Sequence, residues 1–89
     1  MTELYALNTQ VAWRDLDGHI FAVTPDNRQH ELSGGVEHTV WTSLDRKPHT
    51  LLELVAILTA EFDVEAAVAE ADLRTFLTAC IDARLVDSQ

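Results

Sequence analysis

Apolar and polar residues change their spacing near the middle of the chain. From Val11 to Leu32 the apolar runs are short and broken by turn-forming residues, as in β structure; from Val36 onward they recur at three- and four-residue intervals, as on one face of a helix. Asp17-Gly18 lies between the runs Val11–Leu16 and His19–Thr24. An Asp-Gly pair in that setting favours a tight hairpin turn, because both central residues must adopt φ > 0. Phe21 and Val23 then share one side of the second strand. Pro25-Asp26-Asn27 forms a second turn, with proline fixing φ and the two Asx side chains bonding nearby backbone. Arg28 to Leu32 follows as a third strand, polar except for Leu32. A polar strand beside two apolar ones reads as the edge of a small antiparallel meander.

The helical half begins at Ser33-Gly34-Gly35. Val36, Val40, Trp41 and Leu44 predict a short first helix, which the Pro48-containing stretch from Asp45 to His49 breaks. Thr50-Leu51-Leu52-Glu53 has the capping-box pattern, and Leu51, Leu54, Val55, Leu58 and Phe62 form the stripe of a second helix. After Asp63 a third helix carries Leu73, Phe76, Leu77, Cys80 and Ile81 on one face, with Leu85-Val86 as an apolar tail. Three strands followed by three helices predict an α+β domain with the helices packed on one face of the sheet.

Composition narrows the function classes. The 89 residues carry 15 acidic and 6 basic side chains, net −9. The imbalance is spread evenly, −5 over residues 1–45 and −4 over 46–89, so neither half supplies the cations that nucleic acid or an anionic membrane surface demands. At 47% hydrophobic the chain is too apolar for an acidic disordered segment. The start MTELYALNTQ lacks a basic n-region and an apolar h-region, and the single Cys80 cannot form an internal disulfide. Both point to a cytoplasmic protein.

The residues that invite chemistry lack the spacing it needs. His19, His30, His38 and His49 fall in two strands, a helix and a loop, with no HxH, HxxxH or Cys/His pair for a metal. Cys80 sits inside an apolar helix stripe, where a thiolate is disfavoured. Glu65, Glu70 and Asp82 fall on wet helix faces, and Gly34-Gly35 is followed by no phosphate-loop pattern. No catalytic residue, metal or cofactor is therefore assigned. Ser43-Leu44-Asp45 has the wrong order and place for an acyl-carrier attachment site. A winged helix-turn-helix DNA reader shares the scaffold, but its recognition helix should be basic, and here Arg74 and Arg84 face Glu65, Glu70, Asp72 and Asp82.

The edge strand is the remaining candidate. An extended peptide added there would gain about 2–4 backbone hydrogen bonds of roughly 0.5–1.5 kcal/mol each. Two or three apolar anchors would contribute about 1.5–3 kcal/mol apiece, against an ordering cost on the order of 2–5 kcal/mol. The plainer alternative is an edge simply protected by Arg28, His30 and Glu31.

The ordered series of features resembles the PqqD-like family, the RiPP recognition elements, over about residues 5–87. The carrying segments are Val11–Asp17 with Gly18, Leu32 leading to Val40-Trp41 and Leu44-Asp45, and Thr50-Leu51-Leu52-Glu53-Leu54. Glu61-Phe62-Asp63, Asp72-Leu73, Phe76-Leu77 and Leu85-Val86 complete the series. Departures are Leu32-Ser33 where the family has Leu-Asn, Asp45-Arg46 for Asp-Gly, and Arg84 for a common Gly. Thr24-Pro25-Asp26-Asn27 stands in place of the Tyr-Pro-Glu-Gly-like turn typical of pyrroloquinoline quinone synthesis.

The resemblance implies one domain, 1–89, with a winged helix-turn-helix-like fold: a β-meander over 1–32, then three helices over 36–86. It implies a non-catalytic adaptor without cofactor, which binds the leader of a ribosomally made precursor peptide between the third strand and third helix. The expected contacts are Arg28, Gln29, His30, Glu31 and Leu32 along the edge, apolar anchors near Leu73, Phe76 and Leu77, and Arg74 for an acidic leader residue. The second expected partner is a maturation enzyme, either a leader peptidase as in lasso peptide biosynthesis or a radical SAM enzyme with an iron–sulfur cluster. A chaperone of pyrroloquinoline quinone synthesis is the alternative within the family, and a winged-helix regulator or small enzyme the alternative outside it.

Overall fold

Two tight turns set the register of the N-terminal half. In the computed structural model, which describes residues 3–89, Asp17 and Gly18 take φ +54° and +83°. That conformation closes a two-residue hairpin between β2 (Ala12–Leu16) and β3 (His19–Val23). The next connection is a three-residue loop: Asn27 N–H donates to the Thr24 carbonyl at 2.8 Å, and Asn27 itself is left-handed at φ +65°. It leads into β4 (Gln29–Leu32), and the antiparallel order is β2-β3-β4. Met1 and Thr2, the first residues of the expected 1–89 domain, lie outside the described residues.

Alternation decides which face of this sheet is buried. Ile20 and Ala22 are 0% and 1% exposed, whereas Phe21 is 42% exposed. The side shared by Phe21 and Val23 is thus the outer one. Cross-strand register places Trp13 and Asp15 on β2, and His30 and Leu32 on β4, on the inner side with Ile20 and Ala22. There Trp13 meets Trp41 edge-on at 5.7 Å between ring centroids.

The helices follow as α1 (Gly35–Arg46), α2 (Leu51–Glu61) and α3 (Ala66–Asp82). Gly34 precedes α1 at φ +123°, a region closed to side chains. Thr50 and Glu53 make both bonds of the capping box at the start of α2. Val40, Trp41 and Leu44 of α1, Leu54, Val55 and Leu58 of α2, and Ala69, Leu73, Leu77 and Cys80 of α3 converge on one core. Val36 falls outside the buried stripe of its helix.

A second sheet, absent from the sequence expectations, joins distant parts of the chain. β1 (Leu4–Leu7) pairs antiparallel with β5 (His49–Thr50) on one side and β6 (Val86–Ser88) on the other. β1 therefore does not belong to the meander. The segment read as a loop at His49 is a short strand, and the apolar tail ends in another. The architecture is α+β, with a three-stranded antiparallel sheet followed by helices; winged helix-turn-helix describes it only as a loose analogy.

Candidate functional site

Among the described residues β4 has one partner, β3, and its other side is open. Hydrogen-bond parity shows which of its backbone groups are free. Thr24 N–H donates to the Arg28 carbonyl at 2.9 Å, and residues of an antiparallel pair alternate between bonded and non-bonded positions. Arg28, His30 and Leu32 thus turn their backbone groups toward the hairpin partner, while Gln29 and Glu31 turn theirs outward. Outward-facing N–H and C=O groups at two alternate residues make a short template for another strand.

Beside this edge a cleft of about 600 Å³ separates Arg28 and His30 from Asp82, Ala83 and Arg84 at the end of α3. Pro25 and Asp26 of the hairpin loop also line it. The Thr24 hydroxyl donates to Asp26 and, with smaller contributions from Arg28 and Arg84, holds that carboxyl below its ordinary value.

The expected contact residues divide into three groups. Arg28, Gln29, His30, Glu31 and Leu32 form the edge: Gln29 and Glu31 are exposed, His30 and Leu32 half-buried, and Arg28 lies 3.3 Å from Asp26. Leu73 and Leu77 are each 1% exposed, so they support the helix from within and have no surface to offer a ligand. Phe76 is half-buried on the α3 flank that, at 100° per residue, also carries Ala79 and Ala83. Arg74 lies on the opposite flank. It reaches Glu70 at 3.5 Å and borders a hollow with Tyr5 and Leu52, so the fold does not bring it to the β4 edge. Asp82, Ala83 and Arg84 were not anticipated as site residues. The one signal was Arg84 standing where the family has glycine.

One cluster near the edge has the composition of a hydrolase triad without its geometry. Ser33 Oγ lies 3.1 Å from His19 Nδ1, but it also donates to Glu31 Oε2 at 3.0 Å, and Glu31 approaches the same Nδ1 at 3.4 Å. A triad needs the imidazole between hydroxyl and acid, each on a different ring nitrogen. Burial raises the Cys80 thiol to about 12, so it is protonated at neutral pH. Among the described residues no group of three or more His, Cys, Asp or Glu is placed to hold a metal ion, and no helix is long and apolar enough to cross a membrane.

The family model described as coenzyme PQQ synthesis protein D (PqqD) matches residues 37–86, more than half of the chain. The chain belongs to the PqqD family. Among solved structures, this PqqD-family chain is similar to TbiB1 in complex with the TbiA(beta) leader peptide. The TM-score is 0.84 at 23% identity, covering 92% of this chain and 94% of that one. It is also similar to lasso peptide synthetase B1 complexed with the leader peptide, at TM-score 0.75 and 19% identity, covering 93% and 96%. At these identities the likeness establishes the fold. No curated protein matches significantly.

Proposed function

We propose that this PqqD-family chain acts as a RiPP recognition element. It captures the leader segment of a ribosomally made precursor peptide as an extra strand along β4 and presents it to a maturation enzyme. That enzyme is a leader peptidase of lasso peptide biosynthesis or a radical SAM enzyme. The adaptor works in the cytoplasm and contributes binding, with no chemistry or cofactor of its own. The observation that carries this reading is the free edge at Gln29 and Glu31 beside the cleft that ends at Ala83 and Arg84. Two chains of the same fold, matched over more than nine-tenths of their length, are described with leader peptides bound, which supports it.

The family match falls on the helical part, 37–86, and leaves β2, β3 and β4 outside it. A chaperone of pyrroloquinoline quinone synthesis rests on that match alone, whereas capture by strand addition uses the meander as well. On this reading the leader contacts are Arg28 to Leu32, the Phe76 flank of α3 and the wall formed by Asp82, Ala83 and Arg84, with Leu73 and Leu77 as support.

Proline substitution tests it. Gln29→Pro and Glu31→Pro each remove an outward N–H that β3 does not use, so the fold should survive. Binding of its precursor peptide should weaken roughly tenfold or more. His30→Pro removes an N–H directed at β3 and should unfold the meander instead. Titration followed by backbone amide signals should shift β4 and the second half of α3. Shifts confined to α1 and α2, with wild-type affinity in both edge variants, would exclude strand addition.

A further inference from the structure

Arg84 follows the last turn of α3 at φ +64°. Leu85 N–H donates to the Cys80 carbonyl at 2.9 Å and Arg84 N–H to the Ile81 carbonyl at 3.0 Å, the pair of bonds that defines a Schellman ending. Glycine is the unstrained residue at its left-handed position, because any Cβ there crowds the following carbonyl. The backbone is also pinned from outside: the Asn8 carboxamide donates to the Arg84 carbonyl at 2.8 Å, and Asn8 N–H to the Leu85 carbonyl at 3.0 Å. The fold thus uses the backbone of residue 84 and makes no demand on its side chain.

That side chain is exposed on the cleft wall opposite Arg28. Asp26 is already engaged by the Thr24 hydroxyl and by Arg28. Arg84 makes no ion pair within 4 Å among the described residues. In a chain with 6 basic residues against 15 acidic ones, a guanidinium kept at a strained position on a cleft wall calls for a ligand.

We propose that Arg84 is a specificity-determining residue of this cleft, receiving one Asp or Glu side chain of the bound peptide between the end of α3 and the β4 strand. The guanidinium fork suits a carboxylate in two-point contact. Asp82 on the same wall disfavours a second acid beside the first. This inference rests on the peptide-binding function proposed above and names the chemistry that the same site selects.

A phage-displayed library of short random peptides, selected in parallel on the wild-type chain, Arg84→Gly and Arg84→Lys, tests it. Wild type should enrich Asp or Glu at one fixed position, Arg84→Lys should retain part of that preference, and Arg84→Gly should lose it. The best wild-type peptide should bind Arg84→Gly roughly tenfold or more weakly. Changing its acid to the amide should cost wild type a similar factor and Arg84→Gly nothing. Arg84→Gly should melt at the same temperature as wild type or higher, which separates a lost contact from a lost fold. The same enrichment and affinities on wild type and Arg84→Gly would overturn the proposal and leave peptide binding standing. A lower melting temperature for Arg84→Gly would make Arg84 a helix-end stabiliser and overturn it as well. A library that yields no binder to wild type would overturn peptide binding, and this proposal with it.

Discussion

His38 Nε2 lies 2.7 Å from Asp15 Oδ2, and this contact helps tie β2 to α1 across 23 positions of sequence. The hydrogen bond from His38 is the main reason that the Asp15 carboxyl stays below its ordinary value, with Gly18 N–H and His19 adding less. A carboxyl lowered by folding stabilises the fold above its unfolded value, about pH 4, and that stabilisation is lost as pH falls through the folded value. Asp15→Asn should therefore be less stable than wild type at pH 7, and the gap should shrink below about pH 4. Urea unfolding of both proteins at neutral and acid pH measures it; a gap of constant size would mean that Asp15 acts through something other than its charge. Trp41 poses a different problem at the same scale. It is 1% exposed and its indole nitrogen has no hydrogen-bond partner among the described residues, so its contribution to the core comes from packing, including the edge contact with Trp13.

At the scale of elements, α2 depends on its start. Thr50 Oγ1 accepts from Glu53 N–H at 3.1 Å, and Glu53 Oε1 accepts from Thr50 N–H at 2.9 Å. Thr50→Ala should cost about 1 kcal/mol, within a usual span of roughly 0.5–2, as measured by chemical denaturation. Thr50 also pairs with Leu4, so the same change should loosen the junction between the second sheet and α2. This cap and the Asp17-Gly18 turn were legible in the sequence because each is complete within a few residues. β1, β5 and β6 were not, since two to four residues with no pattern of their own become strands only by meeting partners far along the chain: Leu4 with Thr50, Leu7 with Val86. The third helix shows the same limit within one element. Its apolar stripe was readable, but the stripe cannot say that Leu73 and Leu77 are sealed inside while Phe76 lies on the flank shared with Ala83. Nor can it say that Arg74 faces Tyr5 and Leu52 instead of β4. Arg84 stood out as a departure from a familiar glycine, yet only the backbone conformation and the cleft give that departure a use.

The whole molecule carries −9, and this field acts before any contact forms. Under the proposed function it accelerates the approach of a leader with net positive charge and slows one with net negative charge, and salt weakens both effects. A single leader acid at Arg84 is compatible with a basic leader, because long-range attraction depends on total charge and the contact on one group. Adding lysines to the leader outside the paired segment should give an association rate that falls with ionic strength; adding glutamates there should give one that rises. Stopped-flow mixing measures both, and rates indifferent to salt in both peptides would remove the field from the account. The second sheet has a consequence at this scale too. Leu4 and Gln89 exchange backbone hydrogen bonds at 3.0 and 2.7 Å, so the two ends of the described chain lie side by side. Joining Gln89 to Leu4 by a short linker would make a closed ring of the described residues 4–89, which a cut at the exposed Asp17-Gly18 turn would open elsewhere. In that circular permutant β6 and β1 become neighbours in sequence, and the longest loop closure in folding becomes a local hairpin.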